Sequence, residues 1–329
     1  MKAGISIWLD RPLSDCAEQA VAAEAAGFSE AWLPDHYFLR DCYAAQALIA
    51  ERTSRLFMGT AVVSPLLRHP VLLASSVATI NELSGGRAIM GLGVGGFEFP
   101  TQLGLKVRSP LTVAREGVHV IRSVLQGGVD FRGEAFTATG ARLGWDTRPI
   151  PVYMAARGPK MLELAGEIAD GVITHGLAPS YIEFCQERIR VGAKRAGRSP
   201  EACKLILMFE LELDEHQEVA IERLRPRCTI MAGGEYSEDL IGVLGLDRDD
   251  IMSLRAAVRR GDPTAGSQVT DQMVHAFALG GPRGYVTERL TEMAEAGAAG
   301  IIVMFGGVGA MDQLTRIERA GKVIAGMVG

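Results

Sequence analysis

The chain has 329 residues, of which 48% are hydrophobic and 22% are charged, and its formal net charge at pH 7 is −5. This much apolar material excludes a disordered chain, and the lack of any basic run argues against nucleic-acid and anionic-membrane partners. The composition therefore favours a globular protein whose partners are small molecules.

The amino-terminal segment predicts a strand and not a targeting signal. The apolar run Ala3–Trp8 is short and continues directly into Asp10, without a cleavage site of small residues. No segment approaches the roughly 18 uninterrupted apolar residues that cross a bilayer. The five cysteines are scattered without Cys-x-x-Cys spacing, as incidental thiols in a reducing compartment are. We expect a cytoplasmic protein with no disulfide framework and no metal cluster.

Short apolar runs alternate with amphipathic helical periods along the whole chain. The predicted helical faces include Leu73/Val77/Ile80, Met161/Leu164/Ala165/Ile168 and Val286/Leu290/Met293/Gly297. Several strands are apolar on both faces, which is typical of parallel strands covered by helices. Eight strands are predicted: Ala3–Trp8, Glu30–Leu33, Leu56–Val62, Arg87–Leu92, Pro151–Met154, Gly171–Thr174, Lys204–Leu211 and Gly300–Met304. The pattern predicts an α/β protein, a (β/α)8 TIM barrel with insertions.

Two segments interrupt the alternation. The turn-rich stretch 127–147 predicts a hairpin before the fifth strand, and helical sequence over 219–277 predicts an excursion at the barrel rim. No linker is long enough to isolate a second domain. We expect residues 1–329 to form one barrel domain that carries both insertions.

The end of the second predicted strand carries the pair Asp35-His36. Active sites of barrels lie at the carboxyl ends of the strands, so both side chains are expected at the catalytic mouth. Histidine exchanges protons near neutral pH, and Asp35 could orient it or bind a polar ring edge. A helix cap and a surface histidine are the alternative interpretation of this pair.

The third and fourth predicted strands end in small residues. Residues 59–70 run from Gly59 through small and β-branched residues into Ser64-Pro65, which indicates a bulge or tight turn, although a plain strand end fits the periodicity as well. Gly91, Gly93 and Gly96 satisfy the G-x-G-x-x-G spacing, but no helix start follows them, so a dinucleotide-binding fold is disfavoured. Gly93–Gly96 instead suggests close approach of a flat ring system to the backbone.

The segment 155–173 joins a strand to a helix through the small-residue turn Ala155-Ala156-Arg157-Gly158, and then returns to a strand. The first N–H groups of a helix are free and carry partial positive charge, so such a turn suits a phosphate. An ordinary tight turn between strand and helix remains the other interpretation.

Together these segments resemble the luciferase-like superfamily of flavin and deazaflavin barrels, and most of all its coenzyme F420-dependent methylenetetrahydromethanopterin reductases. The resemblance extends over nearly the whole chain, and 158–173 is its most specific part. It implies hydride transfer between F420 and a small organic substrate, and a dimer or larger homo-oligomer. FMN as the cofactor of a monooxygenase, and a non-catalytic flavin-binding barrel, are the alternatives.

The resemblance also implies roles for individual residues. Ala61-Val62 would be a cis peptide whose bulge supports the cofactor ring, and His36 would be the leading proton donor or orienting group, with Asp35 beside it. The cofactor contacts that it implies are Asp35, Ala61, Val62, Ser64, Gly95, Gly96, Ala155, Ala156, Arg157, Gly158 and His175.

The chain departs from the family at three of its positions. Ser6 stands where the archaeal reductases look to have a carboxylate on the first strand, and Gly96 stands where the family often has an acid. Ala178 stands where related sugar-phosphate dehydrogenases would have a phosphate-binding lysine, which makes glucose 6-phosphate an unsuitable substrate. These departures leave the identity of the substrate open.

Overall fold

A computed structural model describes residues 1–36, 38–94, 103–105, 109–234, 238–306 and 310–325. Eight parallel strands close into a barrel, in the spatial order β9-β11-β1-β2-β3-β4-β7-β8, because β8 pairs back onto β9. The barrel strands are β1 Lys2–Ser6, β2 Glu30–Leu33, β3 Phe57–Thr60, β4 Ala88–Leu92, β7 Val152–Ala155, β8 Gly171–Thr174, β9 Lys204–Leu213 and β11 Gly300–Met304. The predicted (β/α)8 barrel is confirmed, and each predicted barrel strand is present with small differences at its ends.

Helices cover the outside of the barrel, and four of them begin with a proline at the first helical position. Proline suits that position because its missing N–H would have no helical partner there. These four are α3 Pro70–Leu83, α4 Pro110–Leu125, α5 Pro159–Ile168 and α6 Pro179–Arg195. The other helices are α1 Leu13–Ala25, α2 Cys42–Arg52, α7 Gln217–Ala232, α8 Glu238–Val243, α9 Arg248–Arg259, α10 Asp271–Phe277, α11 Arg283–Glu295 and α12 Ala310–Ile324.

Two additions extend the eightfold pattern. An antiparallel hairpin, β5 Val129–Arg132 with β6 Thr137–Ala141, precedes β7. Helices α7 to α10 follow β9 and lead to a further strand, β10 Ala278–Gly281. This strand pairs with residues 210–213 of β9, whereas β8 pairs with residues 204–207 of β9. The sequence did not predict β10, because its two glycines lack the side chains that favour strands. Gly297 was predicted on the face of α11, but it follows that helix in a turn with φ of +100°.

The barrel interior is filled by large side chains from alternate positions of the strands. Trp32, Ile89, Tyr153, Ile173, Ile206, Met208, Ile302 and Met304 form one buried cluster. Trp32 needs glycine neighbours: a Cβ at Gly59 would lie 2.5 Å from the indole ring. Below the indole, Trp32 Nε1 donates to Glu30 Oε2 at 3.0 Å. The interior is thus a packed core, and ligands have access only at its ends.

None of the helices within the described residues combines the length and the apolar character that crossing a bilayer needs.

Candidate active site at the carboxyl-terminal rim of the barrel

The inward-facing positions at the carboxyl ends of the strands form a ring, which we call the inner rim. Successive side chains of a strand point to opposite faces. Residues an even number of positions after a member of the interior cluster therefore also face inward. The inner rim comprises Ser6, Ala61, Gly93, Ala155, His175 and Glu210.

One side of the inner rim, which we call the small-residue wall, consists of Ala61, Gly93 and Ala155 on the adjacent strands β3, β4 and β7. A Cβ at Gly93 would lie 2.5 Å from Val62 Cγ2 and 3.3 Å from the Cβ of Ala155. Gly93 is therefore required by the packing of Val62, whereas the sequence suggested that it makes room for a ligand. The wall carries no polar side chains.

Hydrogen bonds to both neighbouring strands hold the end of β3 in place. The Ala61–Val62 peptide bond is cis, as the resemblance implies. The Ala61 N–H donates to Leu33 O at 2.8 Å, and the Val63 N–H donates to Gly91 O at 2.9 Å. The hydroxyl of Ser64 donates to Val94 O at 3.1 Å, so its proton is used within the protein. This segment is a rigid support for anything that lies against it.

The start of α5 lies beside the small-residue wall. Gly158 is the N-cap residue and makes no side-chain capping hydrogen bond, and the first helical bond runs from Leu162 N–H to Gly158 O at 3.0 Å. Since Pro159 has no N–H, the amides of Lys160 and Met161 are the free donors of the first turn. The helix dipole makes this end favourable for an anion.

The backbone that leads into α5 is tied to β8 and α6. The Ala156 N–H donates to Ile173 O at 3.1 Å. Thr174 Oγ1 lies 2.8 Å from the Tyr181 hydroxyl, which donates to Arg157 O at 3.4 Å. These bonds set the direction in which Ala155–Gly158 leaves the strand.

His175 occupies the rim position after β8. Its Nδ1 lies 2.9 Å from Met208 O, and because a carbonyl oxygen only accepts, Nδ1 carries the proton. Burial, together with the smaller effect of the Arg157 guanidinium, lowers the pKa of His175 to about 3. The ring is therefore neutral at physiological pH, and Nε2 serves as a hydrogen-bond acceptor.

Asp35 and His36 follow β2. The carboxylate of Asp35 is paired with Arg68, with 3.4 Å between Oδ2 and Nε, and Arg68 also binds the carboxylate of Asp41, the capping residue of α2. His36 Nδ1 accepts the N–H of Phe38 at 3.4 Å. In the neutral ring the proton is therefore on Nε2.

Glu210 is an inner-rim residue that the sequence analysis missed. It lies on β9 in line with Ile206 and Met208, and its side chain is 7% exposed. Oε2 accepts the N–H of Gly306 at 2.8 Å. The signal was present in the sequence, since Glu210 and Glu212 interrupt an otherwise apolar strand.

The predicted cofactor contacts Gly95 and Gly96 lie outside the described residues. Within the described ranges there is no group of three or more His, Cys, Asp or Glu arranged to hold a metal ion.

A cavity of about 320 Å³ lies beside β10. Its lining includes Gln217, His275, Tyr285 and Arg289, from α7, α10 and α11, together with the backbone of β10. It shares no residue with the small-residue wall or the start of α5, and we do not include it in the site.

Comparison with known proteins identifies the family. The sequence matches the luciferase-like monooxygenase family over residues 3–300. This chain belongs to the luciferase-like family. Within it, the chain is 32% identical over 330 residues to the 5,10-methylenetetrahydromethanopterin reductase of Archaeoglobus fulgidus, covering 98% of both chains. It is 33% identical to the Methanolobus tindarius reductase of the same name, covering 92% of this chain and 93% of the relative.

A solved structure of the luciferase-like family agrees with the present fold. The coenzyme F420 dependent tetrahydromethanopterin reductase of Methanopyrus kandleri superposes with a TM-score of 0.89 at 29% identity, covering 100% of this chain and 99% of the relative. The superposition therefore spans the whole of this chain.

Proposed function

We propose that this chain is a coenzyme F420-dependent oxidoreductase that transfers a hydride between the deazaflavin and a small organic substrate, in the manner of a methylenetetrahydromethanopterin reductase. The observation that carries the proposal is the 32% identity to such a reductase over 98% of both chains. Family membership alone would leave FMN open as the cofactor.

The residues at the inner rim fit a phosphorylated, planar cofactor. The small-residue wall carries no polar side chains, and at Gly158 an added Cβ would meet nothing within 4 Å, so the approach to the start of α5 is open. The free amides of α5 and the guanidinium of Arg157 suit a phosphate. The fit therefore includes both a ring surface and an anion site.

When bound, the deazaflavin would supply the hydride chemistry. Ala61, Val62 and Ala155 would support one face of the ring, while Ala156–Gly158 and the first turn of α5 bind the phosphate. Neutral His175 would accept a hydrogen bond through Nε2, and the Asp35–Arg68 pair holds the loop that presents His36. His36, with its proton on Nε2, would exchange a proton at the β2 side of the site.

We further propose that the protein works in the cytoplasm as a homodimer or larger homo-oligomer, with no nucleic-acid or membrane partner. Five buried, unpaired cysteines are in keeping with a reducing compartment. Apolar side chains exposed on α3 support self-association.

A titration with two cofactors tests the proposed function. The absorbance and fluorescence of oxidised F420 and of FMN would be followed as protein is added. We expect tight binding of F420, weak binding of FMN, and oxidation of reduced F420 when methylenetetrahydromethanopterin is supplied. Binding of FMN without F420 would show that the proposal is wrong and favour the monooxygenase alternative.

Gly158→Asp tests the phosphate site within the same titration. The substitution fits without a clash and provides a good helix cap, but it places a negative charge where we expect the phosphate. We expect the dissociation constant for F420 to rise about tenfold or more. Gly158→Asn is the matched neutral control and should bind F420 nearly as well as the wild type.

A further inference from the structure

Ser6 and Glu210 lie on the polar side of the inner rim, away from the small-residue wall. Ile5 pairs with Val303 in register, so Ser6 is level with Met304, and Met304 pairs with Glu210. The two side chains thus flank the Met304 strand at the same height and face the same interior. Two strand spacings of about 4.8 Å separate their Cα atoms by about 10 Å. A small molecule at the mouth could contact both.

The hydroxyl of Ser6 is available to a polar ligand on this side. Ser6 is 6% exposed, and Oγ is buried without a hydrogen-bond partner among the residues described. Native proteins rarely leave a buried hydroxyl unsatisfied, because the lost hydration costs about 1–3 kcal/mol. A substrate with a polar group at this position would satisfy it.

Glu210 and its neighbour Glu212 have different surroundings, although both are buried on β9. The carboxylate of Glu212 contacts three guanidinium groups, those of Arg223, Arg227 and Arg316. Glu210 Oε2 is 3.9 Å from Arg227 Nη1. Glu212 is therefore held as a charged member of a structural ion cluster, whereas the described contacts of Glu210 include no such close guanidinium.

The charged and polar groups around Glu210 shift the pKa of its carboxyl in opposite directions. Burial raises the pKa of the Glu210 carboxyl above its ordinary range, and the charge of Glu212 adds to this; the Gly306 N–H, Arg227 and Arg316 lower it. Cys228, on α7, is the other titratable neighbour, and burial together with Glu210 raises the pKa of its thiol. Relative to an exposed glutamate, the folded protein thus favours the protonated carboxyl, which is a hydrogen-bond donor.

We propose that Glu210 is a further catalytic residue, whose carboxyl group faces the substrate beside Ser6 and supplies the proton that accompanies hydride transfer. This inference rests on the proposed function. In the reductive direction the electrophilic carbon of a C=N or C=O group gains the hydride, and the reduced deazaflavin is oxidised by two electrons. The heteroatom takes the proton from Glu210, which becomes a carboxylate and is reprotonated from solvent.

This assignment gives His36 and Glu210 separate tasks. Two-electron reduction adds a hydride and a proton to the substrate, and the reduced deazaflavin must also release a proton. His36, whose neutral ring carries its proton on Nε2, donates a hydrogen bond at the β2 side of the site. The proton released by the deazaflavin passes to solvent, and Glu210, on the polar side, protonates the substrate. Protonated Glu210 is then required.

Variants of Glu210 test the inference in the enzyme loaded with F420. Glu210→Gln keeps the shape and an acceptor for the Gly306 N–H but has no acidic proton. We expect kcat to fall about 100-fold or more and the decline of the rate at high pH to disappear. Glu210→Asp, which retains an acid, should recover part of the rate together with the high-pH decline.

Glu212→Gln is the matched control, the same change two residues further along the same strand. It should lower the melting temperature, because three arginines lose a charged partner. It should retain a high-pH decline of the rate, moved to lower pH because the charge of Glu212 no longer raises the pKa of Glu210. A Glu210→Gln enzyme with kcat within about threefold of the wild type and an unchanged pH profile would overturn the inference.

A readout without cofactor separates this inference from the proposed function. Carbon-13 NMR of protein labelled at the glutamate carboxyl follows the titration of Glu210 directly, and the resonance is assigned by its loss in Glu210→Gln. We expect a midpoint above that of exposed glutamates; an ordinary midpoint counts against the inference. If wild-type protein fails to bind F420, the proposed function is wrong, whatever the NMR result.

Discussion

The imidazole of His36 combines a backbone hydrogen bond at Nδ1 with a protonated Nε2 in its neutral form. We expect His36→Ala to lower turnover by about 10²- to 10⁴-fold, the usual contribution of a group that transfers a proton. Steady-state oxidation of reduced F420 measures the effect, and binding of oxidised F420 should change little.

His216→Ala provides the control for His36→Ala, because His216 is an exposed histidine at the start of α7. Its turnover should equal that of the wild type. Full turnover in His36→Ala would rule out the proton-transfer role, and the Asp35–Arg68 pair would then be the main contribution of this loop.

His175 makes the stability of the protein depend on pH. The pKa of His175 is about 3 in the folded protein, below the ordinary value of 6.5, so only the unfolded chain takes up a proton between these values. The stabilisation is complete above about pH 6.5 and is lost as the pH falls from there towards 3. His175→Asn retains a donor for Met208 O but does not titrate.

We expect the drop in melting temperature between about pH 7 and pH 5 to be smaller in His175→Asn than in the wild type. Calorimetry at both pH values measures it. His216→Asn, at an exposed site, should show the wild-type drop. An equal drop in melting temperature in all three proteins would mean that protonation of His175 does not destabilise the folded protein.

At the scale of single residues, the sequence indicated the position of a residue where its type occurs in few structural contexts. Asp35-His36 after a strand, and a small-residue turn before a helix, both predict positions at the rim. The partner of Asp35 could not be predicted, because Arg68 comes from a different loop. Glu210 was missed, because a carboxylate in a strand can face either the barrel interior or the outside.

Elements are held together by side chains that bond to several of them at once, and Arg87 is the clearest case. Its guanidinium donates to the carbonyls of Ala50, Thr53 and Leu56, at 2.7–3.0 Å, and to that of Ser84 at 2.8 Å. It thereby ties the ends of α2 and α3 to the beginning of β3. Lysine cannot replace these bonds, since it has fewer donors and no planar fork.

We expect Arg87→Lys to lower the free energy of unfolding by about 2 kcal/mol, because buried carbonyls lose their donors. Chemical denaturation measures the loss. Arg52→Lys, at an exposed position in the last turn of α2, is the control and should change stability by less than about 0.5 kcal/mol. Equal free energies of unfolding of Arg87→Lys and Arg52→Lys would show that water satisfies the carbonyl groups that Arg87 binds.

Helices and strands of the barrel were predictable because each has a clear period or a continuous apolar run. Leu73, Val77 and Ile80 are buried on α3, and Val286, Leu290 and Met293 are buried on α11, as the helical spacing predicts. β10 has no such signal. Pairing with the exposed end of β9, and not its own composition, makes it a strand.

At the scale of the whole molecule, one helix face is available for self-association. Leu72 and Leu83 of α3 are 61% and 47% exposed, and eleven residues, about three helical turns, separate them, so they share a face. Exposed apolar pairs of this kind occur at subunit interfaces. The oligomer and the single-domain organisation of residues 1–329 both stay predictions.

We expect wild-type protein to be a dimer or larger in solution, and Leu72→Glu combined with Leu83→Glu to be a smaller species. Light scattering after size-exclusion chromatography measures the mass. Ile230→Glu, at a 72% exposed site on α7, should leave the mass unchanged. A monomeric wild type would contradict the prediction.

The sequence by itself determined the barrel, because strand runs and helical periods are local patterns that repeat eight times. It also predicted small residues at the ends of the third and fourth strands and a small-residue turn before α5. Only the tertiary structure decided which side chains share the mouth. Closure of the barrel brings Ser6 and Glu210 to one level across 204 positions of sequence, as the register of β1, β11 and β9 requires. That register arises from pairing between distant strands, which no local pattern encodes.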